Sequence, residues 1–173
     1  MSYVKCQSFF EKRKREIYVN MKIIAKTSRG GPHAVCRVII DQEEDIYKAV
    51  TVTKMVARSI PLYGVDETKL VIAVMELSRN ILAYAQKGEI TIRRMGSKGV
   101  EVIAADQGPG IEDVELALTE GFSSGKGLGL GLSGVQRLVN EFHISSSKNF
   151  GTYVRIVKWA NKRGDMYDGK FRR

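Results

Sequence analysis

The chain has 173 residues, and 43% of them are hydrophobic. This length and composition suffice for one domain with a full core, whereas two domains would be cramped. Its net charge of +9 would suggest nucleic acid or a membrane surface as a partner, but the charge lies at the ends. Residues 1–33 carry eight Lys or Arg against two Glu, residues 158–173 carry six against two Asp, and residues 34–157 carry fourteen against fifteen acids. The nearly neutral body therefore argues against nucleic acid binding, and solvated basic tails are the simpler interpretation.

Cysteine usage and hydropathy narrow the protein class further. The two cysteines, Cys6 and Cys36, lie in separate segments without a CxxC pattern, which argues against a disulfide framework or a zinc site. No apolar run approaches the roughly 20 residues of a membrane span, and the basic N-terminus is unlike a signal peptide. We expect a cytoplasmic protein with a basic N-terminal extension at residues 1–33 that is partly ordered at best, one domain at 34–159 and a basic C-terminal tail at 160–173.

Regular elements begin at Ala34, where an apolar run ending at Asp41 predicts a buried strand. The following acids predict an N-cap at Asp41 and a helix to about Ile60, since Pro61 cannot continue it. Residues 66–86 predict a second helix, with Gly88 just past its end. Its apolar side chains share one stripe at helical spacing, which predicts core packing for Leu70, Ala73, Val74, Leu77, Ile81 and Tyr84.

The second half of the chain predicts strands. Residues 89–95 and 100–105 are expected to pair as a hairpin, and after a glycine-rich stretch a helix at 132–141 precedes strands at 142–147 and 152–159. The order β-α-α-β-β-α-β-β predicts an α+β fold. We expect a two-layer α/β sandwich with a mixed, mostly antiparallel sheet and helices on one face.

The second predicted helix carries a polar pair, Glu76 and Asn80, four residues apart and therefore on the same face. Both lie at the edge of the apolar stripe, where a side chain can reach a cleft beside the sheet. A carboxylate there can deprotonate a hydroxyl or water, and an amide oxygen is a ligand that suits Mg²⁺. The alternative is an ordinary polar pair on a helix surface.

Asp106 follows an almost entirely apolar strand. A carboxylate at the rim of such a sheet needs a hydrogen-bond partner, and the exocyclic amine of adenine would supply one. Gly108 and Gly110 would let the backbone lie close under a flat base, because neither carries a Cβ. An ordinary Asp-Gly turn is the alternative.

Six glycines between Gly121 and Gly134 predict an anion-binding loop that leads into a helix near Leu132. Lys126 could add a positive charge near a terminal phosphate. A Walker A loop does not fit, because the glycine spacing is too short and no Ser or Thr follows the lysine. Residues 129–134 match GxGxxG, but no strand precedes them and no acid follows at about 20 residues, so a Rossmann site does not fit.

Four motifs together resemble a known superfamily. Glu76 with Asn80, Asp106-x-Gly108-x-Gly110, Gly127-x-Gly129-x-Gly131 and Gly151-Thr152 are similar to the motifs of the Bergerat-fold (GHKL) ATPases, shared by gyrase B, Hsp90, histidine kinases and MutL. Residues 75–85, 105–111 and 121–131 resemble the small bacterial serine/threonine switch kinases, most closely the RsbT type. The resemblance covers residues 34–159 and implies a histidine-kinase-like ATPase domain.

The resemblance also implies roles for individual residues. Glu76 would be the catalytic base, Asn80 the Mg²⁺ ligand and Arg79 a contact on the phosphate side. Asp106 would bind the adenine amine, supported through water by Thr152. The pocket and the phosphate lid would further include Gly108, Gly110, Lys126, Gly127, Leu128, Gly129, Leu130 and Gly131.

The implied activity is transfer of the ATP γ-phosphoryl group to Ser or Thr of STAS-domain regulators, in a partner-switching pathway that controls a stress-response sigma factor. The resemblance implies ATP and Mg²⁺, and a PPM-type phosphatase as a second partner. An anti-sigma factor that binds and sequesters a sigma factor is the alternative, although the segment Arg79–Ala85 is closer to the switch kinases. A homodimer is kept open as the assembly.

Overall fold

The computed structural model describes residues 35–119 and 131–160, so the predicted extension and nearly all of the predicted tail lie outside the described residues. Five strands form one sheet in the order β1-β2-β3-β5-β4, and every pairing is antiparallel. Their bounds are Val35–Ile40 (β1), Gly88–Met95 (β2), Gly99–Asp106 (β3), Glu141–Ser147 (β4) and Gly151–Trp159 (β5). The predicted α+β sandwich is confirmed, and the predicted hairpin is β2 with β3. The described strands contain no parallel pair, so here the sheet is antiparallel rather than mixed.

The helices pack on one face of the sheet. Their bounds are Glu43–Arg58 (α1), Val65–Asn80 (α2), Val114–Ala117 (α3) and Gly131–Leu138 (α4). α2 packs between α1 and α4, and therefore forms the centre of the helical layer. α3 was not predicted because it is a single turn, capped by the Asp113 carboxylate, which accepts the Leu116 N–H at 2.8 Å.

The two faces of the sheet differ in chemistry. Side chains facing the helices, such as Ile40, Ile92 and Val102, are fully buried in one hydrophobic core. The opposite face buries the Glu101 carboxylate between the guanidinium groups of Arg93 and Arg155, the latter with its Nε at 2.7 Å. Hydrogen bonding to Glu101 raises the pKa of Arg155. A charged face of this kind is consistent with two layers rather than three.

The predicted N-cap at Asp41 is wrong. α1 begins after Gln42, whose side chain caps no backbone N–H. Asp41 does not accept a backbone N–H of the helix; its own backbone N–H donates to an acid within the helix. The Asp45 carboxylate accepts the backbone N–H of Asp41 at 3.3 Å and the ammonium of Lys48 at 2.5 Å. Burial raises the pKa of Asp45, but these hydrogen bonds lower it by more, so the net shift is downward.

The end of the second helix also differs from the prediction. The α-helix ends at Asn80 and continues as a π-helical turn, Ile81–Ala85, which Gln86 terminates in a left-handed conformation at φ 63°. Gly88 is instead the first residue of β2. The wider turn changes which side chains face the core, so Tyr84, predicted to be core, is 53% exposed.

An ion pair between α2 and β5 connects the start of this helix to the sheet. Lys158 lies on the helix side of β5 and its Nζ is 2.9 Å from Asp66 Oδ1, with side-chain exposures of 8% and 18%. We expect Asp66→Asn to lower the free energy of unfolding by about 3 kcal/mol, because it leaves a buried ammonium without its carboxylate. Urea denaturation measures the loss.

The control is Glu112→Gln, which removes an exposed pair with Lys148 at 3.6 Å. That change should cost about 0.5 kcal/mol or less. Equal losses for the two variants would contradict a stabilising role for the buried pair between Asp66 and Lys158.

Candidate nucleotide-binding site

A cavity of about 600 Å³ opens between the helical layer and the ends of β3 and β5. It brings together side chains from segments that are far apart in the sequence. Of the residues predicted to form a site, those that line it are Glu76, Arg79, Asn80, Asp106, Gly110, Gly131 and Thr152. The volume lies within the range of small-molecule pockets, about 300–1,000 Å³.

Asp106 lines the cavity and is held in place by backbone hydrogen bonds. Its Oδ1 accepts the N–H of Gly108 at 2.9 Å and the N–H of Thr152, on β5, at 3.1 Å. Both bonds use the same oxygen, so Oδ2 remains for a donor from a ligand. These backbone hydrogen bonds therefore fix the orientation of the carboxylate.

The glycines of the loop after Asp106 are required by backbone packing. Gly110 has φ 73°, and a Cβ there would lie 2.0 Å from the carbonyl oxygen of Ser147. Gly151 has φ 85°, and its Cβ would lie 2.1 Å from the carbonyl oxygen of Asp106. Gly108 does not line the cavity, and a Cβ on it would lie 2.6 Å from that of Ala85. Contact between the loop and the β4–β5 turn explains Gly110 and Gly151, and contact with the π-helical turn explains Gly108, so none of the three requires a base to account for it.

Charged and polar side chains of α2 line the cavity as well. Glu76 is only 3% exposed, and its Oε1 accepts a hydrogen bond from Nη1 of Arg79 at 3.1 Å, one turn further along α2. Asn80 follows directly and also lines the cavity. These three side chains therefore offer a carboxylate, a guanidinium and an amide to a polar ligand.

Part of the predicted phosphate loop lies outside the described residues, namely Lys126, Gly127, Leu128, Gly129 and Leu130. Gly131, the last glycine of the predicted loop, has φ 54°, begins α4 and lines the cavity. The loop thus reaches the described part of the chain at the cavity wall.

Tyr84, Ile111 and Ser146 are among the contributors to the site that sequence reasoning missed. Tyr84 lines the cavity because of the π-helical turn, a displacement that helical periodicity could not show. Ile111 lines it directly after the glycine turn. Ser146 contacts Thr152 and the glycine turn through its hydroxyl, and it is a polar residue in register with the core-facing Phe142 and Ile144 of β4. That break in the apolar register was a signal in the sequence.

The described residues contain neither a cluster of metal ligands nor a membrane-spanning helix. Within residues 35–119 and 131–160, no group of three or more His, Cys, Asp or Glu side chains is placed to hold a metal ion. In the same ranges, none of the helices has the length and apolar character required to cross a membrane.

Comparison with known proteins identifies the class. Residues 65–162 match the family described as histidine kinase-, DNA gyrase B-, and HSP90-like ATPase. The chain therefore belongs to this ATPase family, as its motifs predicted. A solved structure of the mycobacterial sensor histidine kinase MprB is also similar, with a TM-score of 0.47 and 19% identity, covering 75% of this chain and 98% of that one.

Within this family, the serine/threonine-protein kinase RsbT of Bacillus subtilis is 42% identical over 125 residues, 70% of this chain and 94% of its own. The anti-sigma F factor of Caldanaerobacter subterraneus subsp. tengcongensis is 33% identical over 99 residues, 52% of this chain and 68% of its own. The first relationship confirms the predicted serine/threonine kinase class and ATP as its nucleotide.

Proposed function

We propose that this protein transfers the γ-phosphoryl group of Mg²⁺-ATP to a Ser or Thr of a STAS-domain regulator, in a cytoplasmic partner-switching pathway of the stress-response type. The observation that carries the proposal is one cavity lined by both an oriented acceptor, Asp106, and a buried carboxylate, Glu76. The similarity to the RsbT kinase over most of the chain supports it.

Asp106 would bind the exocyclic amine of adenine. Its Oδ1 is already occupied by two backbone N–H groups, which leaves Oδ2 to accept from the amine. Thr152 would support the same base, directly or through water. Gly110 would form the wall of the base pocket, and Gly108 would allow the loop to pack on the π-helical turn.

Glu76 would act as the general base. It would take the proton from the substrate hydroxyl while that oxygen bonds to the γ-phosphorus and the bond to the β-γ bridging oxygen breaks, releasing ADP. In the structure, the carboxylate is paired with Arg79. A phosphate would compete for this guanidinium, so nucleotide binding would free the base where it is needed.

Asn80 would hold the Mg²⁺ ion, whose chemistry is to neutralise charge on the phosphate oxygens. An amide oxygen fits this ion, which takes few protein ligands. We further propose that Lys126 and the glycines from Gly127 to Gly131 close over the phosphates. The helix that begins at Gly131 would add backbone N–H donors on that side.

The proposal includes partners beyond the phosphate acceptor. A PPM-type phosphatase is the second partner expected for a kinase of this type. The similarity to an anti-sigma F factor supports a second candidate function, in which the same fold binds and sequesters a sigma factor. We assign the activity to residues 34–159 and none of it to the basic segments at 1–33 and 160–173.

Incubation with γ-labelled ATP, Mg²⁺ and purified STAS-domain proteins tests the proposal. We expect label on one Ser or Thr of one STAS protein. Stable binding of a sigma factor without label on any STAS protein would instead support the second candidate. Absence of both would contradict the proposed pathway.

A further inference from the structure

Ser146 has a hydroxyl group that contacts three neighbours beside the cavity. Its Oγ accepts the backbone N–H of Ile111 at 2.8 Å, donates to the carbonyl oxygen of Gly151 at 2.9 Å and lies 3.0 Å from Oγ1 of Thr152. Ser146 itself does not line the cavity, whereas Ile111 and Thr152 do. It therefore connects two walls of the site from behind.

These contacts determine the direction of the Thr152 hydroxyl. A hydroxyl has one proton to donate, and a carbonyl oxygen can only accept. The proton of Ser146 is therefore committed to Gly151, and the short contact with Thr152 requires Thr152 to be the donor. Thr152 Oγ1 then faces the cavity with lone pairs only.

The part of the cavity around Asp106 and Thr152, here called the base end, thus contains two acceptors of fixed direction, Asp106 Oδ2 and Thr152 Oγ1. Two acceptors match a base that carries an exocyclic amine. They oppose a base that carries a carbonyl oxygen at the same position, because two acceptors facing each other leave both without a donor.

We infer that Ser146 is a positioning residue for base selectivity: it holds Thr152 as an acceptor, so that the site prefers adenine over a 6-oxopurine. The inference rests on the proposed binding of ATP and extends it to a residue outside the cavity. If Ser146 loses its hydroxyl, Thr152 can rotate and donate to a carbonyl oxygen. Selectivity should fall even though neither Thr152 nor Asp106 has changed.

Calorimetric affinities for ATP and ITP, measured with Mg²⁺, test this inference, because ITP carries a 6-carbonyl and an N1–H where ATP carries the 6-amine and an unprotonated N1. We expect wild-type protein to prefer ATP and Ser146→Ala to reduce the ratio of the two affinities about tenfold, the scale of one hydrogen bond. Ser146→Thr keeps a hydroxyl and should keep the ratio. Ser145→Ala, on the opposite and exposed side of β4, is the matched control and should leave the ratio unchanged.

The ratio distinguishes positioning from a purely structural role, which would weaken ATP and ITP equally. An unchanged ratio in Ser146→Ala, or wild-type protein that binds ATP and ITP alike, would overturn the inference while leaving the proposed function intact. Wild-type protein that binds neither would overturn both. If Ser146→Ala does not fold, Ser146→Cys keeps the packing with a weaker hydrogen-bonding group and should show the same loss of selectivity.

Discussion

Glu76→Gln should reduce phosphoryl transfer by roughly 10²–10⁴-fold and leave the affinity for Mg²⁺-ATP within about threefold of wild type. The amide keeps the size of the buried carboxylate and can still accept from Arg79, so the cavity wall is preserved. It cannot accept the proton of the substrate hydroxyl. The loss should therefore appear in the rate of a single turnover and not in nucleotide binding.

Single-turnover transfer of label and calorimetric binding separate these two quantities for the Glu76 variant. Glu43→Gln is a suitable control, since Glu43 is a second carboxylate at the same cavity but is exposed at the start of α1. We expect its transfer rate to stay within about threefold of wild type, because an exposed carboxylate lacks the positioning that general-base catalysis requires. Full transfer activity in Glu76→Gln would disprove the assignment of the base.

Asp106→Asn should instead weaken nucleotide binding, by about 100-fold for ATP. Its Oδ1 can still accept the two backbone N–H groups, but this orientation turns the NH₂ group of Asn toward the cavity. A donor then faces the amine of adenine, so a charge-assisted hydrogen bond of about 1.5–3 kcal/mol is lost and two donors oppose each other. The same change should favour ITP, whose carbonyl can accept from Asn.

Calorimetry with ATP and with ITP checks both parts of the Asp106 prediction. Asp113→Asn removes a carboxylate that caps α3 and does not line the cavity, and it serves as the control for a general effect of lost charge. Unchanged ATP affinity in Asp106→Asn would refute the role of Asp106 in binding the base.

The fold could be predicted because its signals are local. Two strand segments with a short connection gave the hairpin of β2 and β3, and the apolar stripe of α2 gave the central helix. Glu101 shows the limit of this reasoning. It lies in a strand that looks apolar throughout, and it is buried against Arg93 and Arg155 from two other strands, which no local pattern contains.

The candidate site could be predicted in part because Glu76, Asn80 and Asp106 each stand where the element ends or turns toward a cleft. The reasons for the glycines could not be predicted. Gly110 and Gly151 must lack a Cβ because each packs against a backbone carbonyl group that is distant from it in the sequence. The π-helical turn after Asn80 has no periodic signal of its own. Such features depend on how the elements pack, and a single sequence does not show that packing.

The hydrogen bond between Asp106 and Thr152 joins residues 46 positions apart, at the ends of neighbouring strands. The base end of the cavity therefore exists only while β3 and β5 are paired, and the unfolded chain cannot bind a nucleotide there. A nucleotide at 100 times its Kd would add about 2.7 kcal/mol to the free energy of unfolding. In a starved cell, a falling ATP supply would then reduce the lifetime of this protein as well as its turnover rate.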